Sequence, residues 1–431
     1  MHEPRLGEPA ARNGLNTVVP VPEPDLTPQQ MIARAREMRQ MLLDDQEAAE
    51  EWGYYSEHVH QAFTRAGFYR ILQPRMFGGY EFDMTTYYRL AVEIGHGGSA
   101  GIAWCLDLGT HHSIILASHW PEQAQREIFS ECNGHFVCGH RAGVGGTARK
   151  QNGGYRISGR WRYSSGVPYA THHMVGVRIE SDEPGPPGPP SVAVVRRDQF
   201  QILDDWGGGR DLGLQASGSN TVVIEDAWVP EHWVVGGNWR TFDQTHGTPG
   251  TRLHGNPMYL GVNGSFYHAA LVAPQVGAVR AALDEYEHIV RTTPNRFPPP
   301  ELQYQSSWYQ QAYGLALAQC DAAEMILVRA GDMYTEYCER WARTGQPFSL
   351  EEDTRLHAAL QQAGKLAWRA LEALWTASPA DAAKRHSRLA RYYRDVSMYR
   401  LHASARPLFL GPQLAAVHFG LSNTVMPAGP G

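Results

Sequence analysis

The chain has 431 residues, 42% hydrophobic and 19% charged, with 38 Lys+Arg against 44 Asp+Glu and a net charge of −6. That is enough chain to bury a sizeable core without staples, room for roughly two to four ordinary domains, and no broad basic footprint for nucleic acid or an anionic membrane. Five cysteines (Cys105, Cys132, Cys138, Cys320, Cys338), odd in number and never spaced C-x-x-C, argue against a disulfide framework or a thiolate zinc site and fit a reducing cytoplasm. The opening MHEPRLGEPAARNG is polar and reads as no secretory signal, and no apolar run of the length a membrane span needs is found. The 20 histidines and 12 tryptophans are many for this length and suit a pocket that holds a flat ring.

Residues 1–25, rich in Pro, Glu and Asn, read as a disordered lead. Thr27-Pro28-Gln29-Gln30 then reads as an N-cap with Pro at the first helical position and Gln at the third. Met31, Ala35, Met38, Leu42 and Leu43 continue it as an amphipathic helix. A second helix is predicted over 47–66, ending at Gly67, and a turn-rich loop over Leu72–Tyr80. Helices follow over 84–95 and 99–117, the latter almost wholly apolar and so central, and from Pro121 to about Cys132.

At His135 the periodicity changes. Phe136–Gly139, Tyr155–Gly159, Arg160–Tyr163, His173–Ile179, Ser191–Arg196 and Asn220–Ile224 read as short strands, with a Pro/Gly loop over 181–190. From about Ser265 the chain is helical again, over 265–291, 303–341, 351–376, 380–403 and about 411–419. The expected fold class is α+β: a disordered lead (1–25), an N-terminal helical domain (26–134), a middle β-barrel or sandwich (135–236) and a C-terminal helical bundle (237–431).

The common chemical motifs are missing. Gly143–Gly146 and Gly207–Gly209 read as loops and give neither G-x-G-x-x-G after a strand nor a phosphate loop. The histidines are scattered, without H-E-x-x-H, so no metal is expected, and no G-x-S-x-G elbow occurs.

Four segments form a pattern in order. Leu72–Tyr80 (LQPRMFGGY), Gly153–Gly166 (GGYRISGRWRYSSG), Gly213–Ser219 (GLQASGS) followed by Asp226-Ala227-Trp228-Val229-Pro230, and Arg394-Asp395 with His402 together resemble the acyl-CoA dehydrogenase superfamily. The resemblance covers about 30–425 and implies an acyl-CoA dehydrogenase-like subunit, a homotetramer or dimer, and a flavin lying at the β module against C-terminal helices of two subunits.

The fold alone does not choose the reaction. A dehydrogenase needs a carboxylate base for the proton next to the thioester carbonyl. Neither stretch where that superfamily carries it has an acidic residue here: none follows Asp395, and none lies between Gln244 and Leu283. What remains resembles the oxygenase components of two-component flavin-dependent monooxygenases, such as that of 4-hydroxyphenylacetate hydroxylase. The resemblance implies reduced FMN or FAD supplied by a separate NAD(P)H:flavin reductase, O2 as co-substrate, a flavin C4a-hydroperoxide, and a small aromatic or polycyclic substrate. Acyl-CoA dehydrogenase or oxidase activity and amine N-oxygenation are the alternatives.

Carried over residue by residue, the resemblance puts His402 near flavin N5/C4a and Ser164 or Ser165 at the flavin N5 hydroxyl position. Trp104 and His112, eight apart on one helix, match a pocket tryptophan and a phenol-contacting histidine. His402, His112 and Ser164 are thus the catalytic candidates. Trp104, Cys138, His140, Trp161, Ser164, Ser165 and Asp395 are cofactor-binding candidates, and His112, Arg141 and Phe266 substrate-binding ones. Tyr259 and Trp308 are further candidates for shaping the pocket. The chain departs from the family where small serines are usual and Val137-Cys138-Gly139-His140-Arg141 stands instead. The acceptor is therefore left open between a phenol, a carboxylate-bearing ring, an indole and an amine, and Arg141 between pairing an anion and facing solvent.

Overall fold

The computed structural model describes residues 18–180, 190–237, 245–295, 301–402, 405 and 407–421. Thr27 caps α1 (Pro28–Glu37) through the capping box with Gln30 that the sequence announces. The chain turns at Met38 into α2 (Arg39–Trp52), and left-handed Gly53 separates it from α3 (Glu57–Ala66), so the single helix predicted over 47–66 is two. Residues 18–25, placed in the disordered lead, are packed: Val19 is buried and its N–H bonds the Met76 carbonyl at 3.2 Å. Then come α4 (Met84–Gly97), α5 (Ala100–Thr110), α6 (His112–His119) and α7 (Glu122–Glu131). α5 and α6 nearly continue one another; the only break in the helix predicted over 99–117 is His111, which keeps αR dihedrals.

The β module runs through β1 (Cys138–Gln151), β2 (Gly154–Trp161), β3 (His172–Ile179), β4 (Pro190–Arg196), β5 (Gln201–Ile202), β6 (Val222–Pro230) and β7 (Val234–Gly236). The strands join in one seven-stranded sheet, ordered β5-β6-β2-β1-β3-β4-β7. β1 pairs antiparallel with β2 and parallel with β3. Gly143–Gly146, predicted as a loop, lies inside β1, which is irregular at Arg141/Val144 and Val144/Gly146. Such bulges bend a strand without ending it.

The C-terminal part holds α8 (Pro249–His254), α9 (Gly264–Thr292), α10 (Ser307–Thr344), α11 (Leu350–Thr376), α12 (Arg388–Tyr399) and α13 (Pro407–His418). The helix predicted over 380–403 starts only at Arg388, after a short 3-10 turn over Ala380–Ala383. α4 and α9 cross closely where glycines meet: a Cβ on Gly95 would lie 2.7 Å from the Pro274 carbonyl. None of the described helices is long and apolar enough to cross a membrane.

One carboxylate joins the three parts. Asp395 of α12 is buried, and its two oxygens accept the N–H of Gly101 in the first turn of α5 (3.0 Å) and of Leu214 in the loop before β6 (2.6 Å). The α5 end therefore satisfies one of its orphan donors with an acid that also suits the helix dipole. Beside it Glu50 of α2 takes Arg394 at 2.8 Å and Arg391 at 3.2 Å. Burial, then the Glu50 charge, push the Asp395 carboxyl up from 3.8 to about 6. The folded chain thus holds a proton that the unfolded chain has lost. The stability linked to this group is full below about pH 4 and is lost as pH rises through about 6.

Asp395→Ala leaves two buried N–H donors unsatisfied and should cost about 3 kcal/mol, read as a lower urea midpoint with an unchanged slope. Asp395→Asn should flatten the fall in stability between about pH 4 and about pH 6; an unchanged pH profile would assign that fall to other groups.

Candidate active site

α5 is the platform. Gly101, Cys105 and Gly109 recur every fourth residue and make one smooth face. Two β-module loops lie on it. Gly166 and Gly218 are left-handed (φ +76° and +59°), and a Cβ on them would stand 2.5 Å from the Gly109 nitrogen and 3.1 Å from Cys105 Sγ. Only glycine allows both that conformation and that approach.

These loops bring serines together. The Ser219 Oγ lies 2.7 Å from Ser165 Oγ and 2.6 Å from Ser217 Oγ, all three buried. Ser164 Oγ donates to the Trp161 carbonyl at 3.1 Å and meets His173 Nε2 at 3.1 Å. With its proton so used, Ser164 accepts the Nε2–H of His173, whose ring burial holds neutral, its pKa down at about 3. Trp161 is committed inside the sheet, its indole N–H donating to the Gly176 carbonyl at 2.9 Å.

The opposite side of α5 meets the C-terminal part. The Trp104 ring stands edge-on to His402 (centroids 6.0 Å) and to Tyr399 (6.3 Å). The tryptophan and the histidine assigned to one pocket from sequence are thus neighbours.

His112 opens α6 and is buried. Its Nδ1 lies 2.9 Å from the Leu108 carbonyl and 2.7 Å from the Cys138 carbonyl. Both are acceptors, so Nδ1 carries the proton and Nε2 is left as a lone pair, without a protein partner. Burial lowers the ring's pKa to about 4, so it is a neutral acceptor. His140 packs on it at 4.7 Å. Cys138 is buried with its thiol toward the Gly139 carbonyl at 3.2 Å, and burial pushes the thiol well up, so it is no thiolate. Arg141 is half-buried, its guanidinium lying back beside Gly143 of the same strand. Phe266 of α9 is fully buried and packs edge-on against His111, at 5.4 Å.

Three candidates stand elsewhere. Asp395 is engaged by two backbone N–H groups and holds elements together. Trp308 is 68% exposed on α10. Tyr259 is buried, donating to the Leu72 carbonyl at 3.2 Å. Conversely, Asp107, His111, His173 and the Ser217/Ser219 pair were not singled out from sequence. The two serines lie in the quoted GLQASGS segment, and the Gly101/Cys105/Gly109 spacing is the signal that points to the face they cover.

Comparison with known proteins places this geometry. A family model described as acyl-CoA dehydrogenase, C-terminal domain, matches residues 269–407. The oxygenase subunit HsaA of a flavin-dependent monooxygenase from Rhodococcus jostii is 28% identical over 372 residues, covering 84% of this chain and 91% of that protein. The oxygenase component of an FADH(2)-dependent resorcinol hydroxylase from Rhizobium sp. is 30% identical over 53% of this chain and 54% of its own length. The structure of XiaF from Streptomyces sp., in complex with FADH2 and glycerol, superposes with a TM-score of 0.83 at 23% identity, over 93% of this chain and 97% of that one, and shares its fold. The C-terminal part of the chain thus matches the acyl-CoA dehydrogenase C-terminal domain model, and the chain as a whole is similar to oxygenase components of flavin-dependent monooxygenases.

Proposed function

We propose that this chain is the oxygenase component of a two-component flavin-dependent monooxygenase, taking reduced FMN or FAD from a separate NAD(P)H:flavin reductase and inserting one oxygen atom of O2 into a small aromatic or polycyclic substrate. The observation that carries the reading is His112: a buried imidazole with one nitrogen fixed on two carbonyls and the other offered as an acceptor. An acceptor of that kind takes the O–H or N–H of a substrate ring and raises electron density where an electrophilic oxygen attacks. Its low pKa keeps it from arriving protonated.

The residues suit a flavin. The left-handed glycines and the hydroxyls of Ser164, Ser165, Ser217 and Ser219 form a tight polar edge beside α5, and Trp104 with His402 supplies an aromatic wall at its other side. When bound, the reduced flavin supplies the activated oxygen. The chain's own part is to hold both reactants, keep water out and keep the surrounding groups uncharged. Neutral histidines do this without acting as acids toward the oxygen being transferred. The remaining buried carboxyl near the start of α9, Asp353, accepts the Ser265 N–H at 2.8 Å and is a helix cap, so it is not offered as a dehydrogenase base. We also assign the protein to a homotetramer, in which a second copy covers part of the flavin, and to the cytoplasm.

With reduced FMN or FAD and 18O2, a simple phenol or naphthol should gain one 18O atom per turnover. Peroxide alone with every phenol, or reduction of a bound FAD by an acyl-CoA, would overturn the reading. His112→Leu should lower product formation by about 10²-fold or more while reduced flavin is still consumed. His402→Ala should raise the peroxide released per flavin oxidised; unchanged coupling would remove His402 from the site.

A further inference from the structure

Beyond His112 the core holds polar atoms for which the fold supplies no partner. Asp107 of α5 is 3% exposed, and neither carboxyl oxygen has a well-formed hydrogen bond. The Tyr87 hydroxyl beside it donates to the Asp107 backbone carbonyl at 3.3 Å and interacts only weakly with the carboxyl. His111, one turn on, is fully buried with no well-formed hydrogen bond at either ring nitrogen and only a weak interaction with the Asp107 backbone, and its ring lies 4.0 Å from that of His112. With His112 Nε2 these make five polar atoms within six residues that lack a well-formed hydrogen bond among the described residues. Each such group costs about 1–3 kcal/mol. Five together are a place where the fold gives up stability.

The placement says for what. Trp104, Asp107 and His111 fall at i, i+3 and i+7, one face of α5 and its extension. That face begins at the Trp104–His402 contact and ends against Phe266 and Tyr267 of α9 (5.4 and 5.5 Å from His111). The polar strip therefore runs on from the proposed flavin contact, past His112, between aromatic walls. Burial drives the Asp107 carboxyl well up and the His111 imidazole well down, so it favours the uncharged form of both. A neutral carboxylic acid and a neutral imidazole each donate and accept once.

We propose that Asp107 and His111 form a second polar subsite of the substrate pocket, which takes an uncharged hydrogen-bonding group, a hydroxyl or a carbonyl, carried by the aromatic substrate at a distance from the ring atom that meets His112. The proposal rests on the monooxygenase reading and narrows its substrate class to neutral, flat molecules with two separated polar groups. It disfavours a carboxylate-bearing ring, because a buried anion needs a cation and the three polar side chains here are neutral.

The test compares 2-naphthol with 2,6- and 2,7-dihydroxynaphthalene and with 6-hydroxy-2-naphthoate, binding to the full chain being read by quenching of its tryptophan fluorescence. The better diol should bind about tenfold or more tighter than 2-naphthol, and the naphthoate no tighter than 2-naphthol. In Asp107→Leu and His111→Phe the diol should lose its advantage over 2-naphthol. The melting temperature of the ligand-free Asp107→Leu protein should hold or rise, since the leucine removes an unpartnered group. The isosteric Asp107→Asn, which keeps the shape, should lose part of the diol advantage if Asp107→Leu does not fold. Equal wild-type affinities for the naphthols, tightest binding of the naphthoate, a diol advantage that survives in the folded variants, or a melting temperature that falls in both Asp107 variants, would overturn the subsite. The 18O assay is separate: diol discrimination without oxygen transfer would sink the monooxygenase reading and leave the subsite standing.

Discussion

A single carboxylate, Asp395, accepting two backbone N–H groups, sets the relation of the other parts. Its donors come from α5 and from the loop before β6, so α12 is tied at once to the platform helix and to the β module. Tyr399 at the end of α12, and His402 just beyond it, reach the Trp104 ring of α5. The Glu50 ion pairs with Arg391 and Arg394 hold α12 against rotation from the other side. Buried ion pairs add little net stability, yet they penalise any alternative packing that separates them. The distance between an imidazole and an indole is thus fixed by hydrogen bonds one turn and more away.

The second theme is the suppression of charge. His111, His112 and His173 are all buried, and burial holds each neutral. Asp107 is driven the same way from the acid side. A site that handles an activated oxygen gains from this, since a charged imidazole is a proton donor and a charged carboxylate attracts water. The same low dielectric sharpens each remaining hydrogen bond, which is why tautomer matters at His112, where two carbonyls choose it.

Much of the fold was legible in the chain. Thr27 with Gln30, Gly67 after α3 and the punctuated strands gave their elements because caps and turns depend on side-chain chemistry that a sequence displays. Trp104 and His402 were each named from the resemblance, and their rings stand 6.0 Å apart. Gly143–Gly146 was not legible as strand: glycines show no alternation, whereas pairing uses the backbone alone. The structural role of Asp395 was not legible for a related reason. Its partners are N–H groups of a glycine and a leucine, which no residue type announces. Asp107 and His111 were hidden inside an apolar helix, where a polar residue without a partner follows no pattern.

The order in which the chain is made adds a constraint of its own. α5 and the loop at Leu214 leave the ribosome long before α12, at separations of 294 and 181 residues from Asp395. Until then the α5 N-terminus lacks its buried acceptor and Trp104 has no His402 beside it. A growing chain therefore completes the contact between α5 and the C-terminal part only once α12 has emerged.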